Sequence, residues 1–208
     1  MTQRNIGQAI ASRAELPVNS VHFHQKALAR AFTMTHGPAA MNSLTIDIRP
    51  ADADDAQQIS DVHAAAWTNT YQGLIPHKSL QRMIARRHGG WWQRAIERRI
   101  SVMVVDMGGL IAGYCTYGFN RARALSQDGE IYELYIRPEY QGIGVGSRLF
   151  EAAHASLRNH GCHGLVVWAL EENDMAMNFY ASHGGKDVAQ GYETFEDRKL
   201  RKVAFVWN

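Results

Sequence analysis

The chain has 208 residues, 46% of them hydrophobic and 20% charged, with a formal net charge of +2. That make-up fits one globular domain able to bury a core without staples, and the charge is too small to predict a nucleic-acid surface. No apolar run reaches the length of a membrane span, so a cytoplasmic protein with neither membrane nor nucleic acid as partner is expected.

Residues 1–40 differ from the rest, with one acid (Glu15), four Lys or Arg and no sustained amphipathic period. They read as an extension before a domain covering 41–208. The extension is either mobile or an arm that packs on a partner, and its acid-poor, Arg-containing character leaves an organelle presequence as a third reading. A first strand is predicted over 44–50. Asp52 or Asp54 then caps a helix reaching about Thr68, on which Ile59, Val62, Ala65 and Ala66 recur at helical spacing. Pro76 marks the start of a second helix, His77–Arg86, and Gly90–Arg99 reads as a third. Strands at Ser101–Asp106 and Leu110–Phe119 flank a hairpin turn at Met107-Gly108-Gly109.

A strand over 130–136 runs into Pro138, and Gln141-Gly142-Ile143-Gly144-Val145-Gly146 then opens a helix over 144–160. Val145, Leu149, Ala152, Ala153 and Leu157 form its buried stripe. A glycine-lined turn at a helix start leaves amide N–H groups unpaired at the positive end of the helix dipole, which suits phosphate oxygens. A Walker loop would end in Gly-Lys-Ser/Thr, whereas this loop continues Gly146-Ser147-Arg148. A dinucleotide fingerprint would need Gly-x-Gly-x-x-Gly in a first βαβ unit, and the spacing here is Gly142-x-Gly144-x-Gly146, deep in the chain. Further on, a buried strand (165–170) leads through Glu171-Glu172-Asn173 into a helix (174–183) carrying Phe179 and Tyr180 and stopping at Gly184-Gly185. Strands near 186–191 and 200–207 close the chain, with Tyr192-Glu193-Thr194-Phe195-Glu196-Asp197 between them as a loop. The order is mixed α/β, too antiparallel for a doubly wound sheet.

These two blocks resemble the GNAT acetyltransferases. Gln141 to Gly146 fits the family's pyrophosphate loop (Gln/Arg-x-x-Gly-x-Gly/Ala), and the Leu134-to-Pro138 lead-in fits too. The stretch from Asn173 to Gly185 is similar to the family's Asn-initiated helix with its Phe-Tyr pair. The resemblance covers roughly 44–207, with its specificity concentrated in 130–185. It implies an α/β (α+β) fold: a central, mixed, mostly antiparallel twisted sheet of about six or seven strands, flanked by about four or five helices. It implies acetyl-CoA as cosubstrate and transfer of acetyl to a primary amine on a small molecule or peptide; no metal is expected. A homodimer is left open.

By the same resemblance Tyr135, Ile136, Arg137, Gln141, Gly142, Ile143, Gly144, Val145, Gly146 and Ser147 would hold the cofactor, chiefly through main chain, with Asn173 on the pantetheine arm. Tyr180 would lie near the sulfur and protonate the departing thiolate. The amine must be neutral to attack, so a carboxylate base is needed. Glu130 and Glu133 are both candidates on the strand feeding the loop; Glu133 would face the other side unless a bulge intervenes. Trp67 and Tyr71, spaced i, i+4, either line an acceptor pocket or form a core pair, and the 192–197 loop is read as a second wall or as a solvated segment.

Cys115 and Cys162 sit in apolar stretches and are expected as free thiols. Neither is next to a motif, which disfavours a covalent acetyl-enzyme. His22 with His24 and His160 with His163 lack companions at a metal-ligand spacing. The competing functional class is a degenerate, non-catalytic domain that binds acyl-CoA and regulates a partner.

Overall fold

The computed structural model describes residues 45–195 and 198–208, so the expectations for residues 1–40 lie outside the described residues, as do Glu196 and Asp197. Among the described residues there are seven strands and five α-helices. They run β1 (Ile46–Pro50), α1 (Ala56–Tyr71), α2 (His77–Arg86), α3 (Gly89–Glu97), β2 (Val102–Met107), β3 (Ile111–Phe119), β4 (Gly129–Ile136), α4 (Val145–Asn159), β5 (Leu165–Leu170), α5 (Asp174–Ser182), β6 (Lys186–Phe195) and β7 (Arg198–Trp207). The sheet order is β1-β2-β3-β4-β5-β7-β6. Only β4 and β5 pair in parallel; the other neighbours are antiparallel. This is the open α/β sheet expected from the sequence.

The start of α1 is secured as its acids suggest. Asp52 Oδ1 accepts from the Asp54 amide at 2.9 Å, while Asp55 Oδ2 accepts from the Asp52 amide at 2.9 Å, a reciprocal cap. Asp55 also takes two bonds from the Arg49 guanidinium, at 2.7 and 2.9 Å, tying β1 to the helix start. Two apolar layers cover the sheet. On one face Val145, Leu149, Phe150, Ala153 and Leu157 of α4, with Tyr180 of α5, pack on Ile131, Ile136, Leu165 and Val167. On the other, Ile59 and Val62 of α1 and Trp92 of α3 pack on Val104, Ile111 and Tyr114. Alternation along each strand sends successive side chains to opposite layers.

Two departures from the expected layout matter for function. The segment Tyr192–Phe195 is not a loop: it is the second half of β6, paired with β7 from Tyr192↔Arg201 to Phe195↔Arg198. Its charges misled because an edge strand keeps one face in water and reads as polar. The other departure is a break of register in β4, where Glu133 pairs with Thr116 but Ile131 pairs with Tyr117. One extra residue, Tyr132, is accommodated there as a bulge. Thr116 and Glu133 are thereby on one face, and Gly118 and Glu130 share it, because Tyr117 and Ile131 both belong to the α4 layer. The bulge thus brings both candidate carboxylates to the α1 face.

Candidate active site

The parallel pairing of β4 with β5 lasts for three residue pairs, Gly129↔Leu165 to Ile131↔Val167, and then stops. Beyond the bulge, Glu133–Ile136 and Trp168–Leu170 remain strands but no longer bond to each other. The sheet is therefore split by a wedge between its two central strands. Amides along a strand point alternately to either side. The Arg137 amide donates to Ala112 O of β3 at 2.8 Å, so the preceding amide, that of Ile136, points into the wedge.

The glycine loop closes one end of this opening. A short 3-10 turn over Pro138–Tyr140 leads from β4, and the Gln141 side chain reaches back to Ile136 O at 3.1 Å. Gly142 and Gly144 both have positive φ, 76° and 84°, the latter as N-cap of α4. A Cβ at either would meet nothing within 4 Å, so glycine is needed there for its backbone freedom rather than for space. The first backbone bond of α4 is Arg148 N–H to Gly144 O, 3.2 Å. Among the described residues, none of the amides from Gly142 to Ser147 finds an acceptor. Six consecutive N–H groups are thus left free at a helix start, an arrangement able to receive phosphate oxygens.

Ser147 has a partner no local motif suggested. His183 Nδ1 bonds to Phe179 O at 2.7 Å and Nε2 lies 2.9 Å from Ser147 Oγ. Because a carbonyl can only accept, Nδ1 donates to it, and in the neutral ring Nε2 accepts from the serine. Asn173 is the N-cap of α5, its Oδ1 accepting from the Ala176 amide at 3.1 Å, while its amide nitrogen finds no partner among the described residues. Tyr180 is 6% exposed, ringed by Phe150, Phe179, Phe205 and Trp207. Burial pushes its pKa well above the ordinary tyrosine value, so the hydroxyl stays protonated. No hydrogen-bond partner for it is found among the described residues.

The two glutamates have different surroundings. Glu130 is 3% exposed and both of its oxygens are taken by Arg121: Oε1 to Nη2 at 2.6 Å, Oε2 to the backbone amide at 2.8 Å and to Nε at 3.2 Å. Glu133 is held more loosely, by Thr116 Oγ1 at 3.3 Å and by Arg87 Nη2 at 3.4 Å. Removing Arg121 would leave the Glu130 charge buried and unpaired. Arg121→Ala is expected to cost about 2–3 kcal/mol, somewhat less than for a fully buried pair because the arginine is partly exposed. Thermal unfolding should show it as a Tm lower by roughly 4–12 °C.

Trp67 and Tyr71 touch edge to face with centroids 5.0 Å apart, and Tyr71 OH bonds to Tyr135 OH at 2.9 Å. They pack in a hydrophobic cluster with Ile75, Leu80 and Phe195, and they also border the Glu133 side of β4 through Tyr135. The neighbouring polar residues Arg87, His63, Thr116 and Arg121 escaped sequence reasoning, because each meets the site from a different element with no motif of its own. Cys115 and Cys162 are free and buried. Burial lifts the Cys115 thiol well above its ordinary pKa, which makes it a poor nucleophile. Among the described residues no helix is long and apolar enough to cross a membrane.

Comparison with known proteins agrees with this geometry. Residues 59–184 match the family model described as Acetyltransferase (GNAT) family. An uncharacterized N-acetyltransferase of Bacillus subtilis is 26% identical over 162 residues, 78% of this chain and 92% of that protein. The spermidine N(1)-acetyltransferase of Thermoplasma acidophilum is 22% identical over 144 residues, 69% of this chain and 89% of that protein. The fold is shared with the PaiA N-acetyltransferase of Thermoplasma acidophilum, solved in complex with coenzyme A. It superposes with a TM-score of 0.63 at 18% identity, over 77% of this chain and 98% of that one. The family match spans more than half of the sequence, and with the wedge and the glycine loop it settles the family: the chain is a member of the GNAT acetyltransferases.

Proposed function

We propose that this chain moves an acetyl group from acetyl-CoA to a primary amine by direct attack within a ternary complex. The observation that carries the reading is the wedge between β4 and β5, with free amides at its mouth and Tyr180 in the apolar cluster with Ile136 and Val167 of those two strands. The residues present suit the cosubstrate: six unpaired N–H groups for a diphosphate, and two unpaired strand edges for an extended, amide-bearing arm. Acetyl-CoA would supply an activated acyl group. Relatives named for spermidine and thialysine acetylation support an amine as acceptor.

Each residue then has a role set by its chemistry. A carboxylate must take a proton from the amine, which is mostly charged at neutral pH. Glu133 suits this better than Glu130, because Arg121 already occupies both Glu130 oxygens. The Ile136 amide, pointing into the wedge, can donate to negative charge developing on the acyl oxygen. Tyr180 can give its proton to the sulfur as the C–S bond breaks and the C–N bond forms. The protons balance: the ammonium gives one to Glu133 before it attacks and a second as the amide forms, and that second proton replaces the one Tyr180 gives to the sulfur.

Thermal unfolding with added nucleotides tests the cofactor assignment. Coenzyme A at about 100 times its Kd is expected to stabilise the protein by about 2.7 kcal/mol, a rise in Tm of roughly 5–11 °C, with ATP and NAD giving none. Gly144→Val forces a β-branched residue into the left-handed region and should remove the coenzyme A shift along with about 1–2 kcal/mol of stability. An equal shift from ATP or NAD would refute the assignment.

A further inference from the structure

Six side-chain nitrogen or oxygen atoms among the described residues are buried with no partner, and four of them crowd one shell: His63 Nε2, Trp67 Nε1, Arg87 Nη1 and Trp92 Nε1. The His63 ring lies 4.7 Å from Trp67 and 6.3 Å from Trp92, centroid to centroid. The Arg87 guanidinium lies over Trp91 at 4.0 Å and 5.5 Å from Trp92. Three of the four atoms can only donate. His63, neutral because burial and then Arg87 disfavour its charge, bonds through Nδ1 to Tyr114 OH at 2.7 Å, which leaves Nε2 over. Buried donors without acceptors are rare and unfavourable in a native interior. A cluster of them next to a reaction centre indicates a ligand rich in acceptors.

The ion pair beside this shell narrows the chemistry. Arg87 spends only Nη2 on Glu133, at 3.4 Å; its second nitrogen is unused and its plane is held against Trp91. A planar guanidinium with a free edge suits a carboxylate. Glu133, next to it, suits an ammonium. An adjacent cation and anion in the protein are complementary to an adjacent anion and cation in the ligand.

We propose that the acceptor is an α-amino acid, its carboxylate received by Arg87 and the tryptophan N–H groups while its amine lies against Glu133. The inference rests on the acetyl-transfer reading above and adds the substrate class. A polyamine, carrying only cations, would leave the four buried atoms unpaired and set charge against Arg87. An acid lacking the amine would leave Glu133 without its partner.

The test compares α-amino acids with their decarboxylated amines and primary amides, reading released thiol with saturating acetyl-CoA. In the wild type kcat/KM for the best amino acid should exceed that for its decarboxylated amine by at least about 100-fold, since a site built around hydrogen bonds strongly rejects a substrate lacking the group. Arg87→Gln should shrink that ratio to within about threefold, and Arg87→Lys, which keeps the charge but not the fork, should retain part of it. In parallel, the amino acid, but not the amine, should change tryptophan fluorescence of the coenzyme A-loaded protein. Equal kcat/KM for amine and acid, or an unchanged ratio in Arg87→Gln, overturns the inference and leaves acetyl transfer standing. Should no compound release thiol although coenzyme A binds, acetyl transfer itself fails, and the fluorescence titration alone decides whether an amino acid occupies the shell.

Discussion

Replacing Tyr180 by phenylalanine is expected to lower kcat by about 10²–10⁴-fold, the usual range for loss of a positioned acid, while coenzyme A affinity and Tm stay near wild type. The structure makes this substitution unusually clean. The Tyr180 ring belongs to the α4–α5 layer with Phe150, Phe205 and Trp207, and phenylalanine keeps that packing. The hydroxyl has no hydrogen-bond partner among the described residues, so no internal bond is lost with it. Any loss of turnover would therefore come from the hydroxyl's part in the proposed reaction rather than from the fold. The same variant separates an enzyme from a regulatory acyl-CoA-binding module. A module needs the glycine loop but not the hydroxyl, and would behave identically with either residue. Stopped assays of thiol release alongside calorimetric binding of coenzyme A supply both readouts. Unchanged turnover in Tyr180→Phe would remove it from the mechanism.

Glu133→Gln is expected to lower kcat/KM at pH 7 by about 10²–10⁴-fold, and the deficit should narrow as pH rises towards the amine's own pKa of about 10. The sign follows from the proton inventory. Below that pKa the acceptor is mostly an ammonium ion and needs a base; above it the free amine is already present and the base matters less. Glu130→Gln should behave differently, because its neighbourhood is structural. Both Glu130 oxygens serve Arg121, whose guanidinium also stacks on Tyr132 at 4.0 Å, at the bulge itself. Loss of the Glu130 charge should therefore appear as a lower Tm, with a pH–rate profile of unchanged shape. A profile altered by Glu130→Gln but not by Glu133→Gln would reverse the assignment of the base.

The sheet and the loop were legible along the chain because their requirements are local. Positive φ at Gly142 and Gly144 can be met cheaply only by glycine, the Pro138 turn ends a strand, and an Asn starts α5 by capping its own helix. Period-two apolar runs and the stripe of α4 follow from backbone geometry alone. These features involve residues within a few positions of one another, so their spacing could be read directly.

The preference proposed between the two glutamates has a different source. It depends on one extra residue in β4, which brings Glu130 and Glu133 to the same face, and on Arg121 arriving from the loop before β4 to hold only one of them. Likewise the shell of His63, Trp67, Arg87 and Trp92 joins α1, the end of α2 and α3 against the centre of the sheet. Tyr192–Phe195, polar enough to pass for a loop, became a strand because β7 offered it a partner. Backbone conformation is set mainly by each residue and its near neighbours, so it is written in the sequence. Which donor meets which acceptor, and which is left waiting for a ligand, is set by how distant elements pack, and only the tertiary structure decides that.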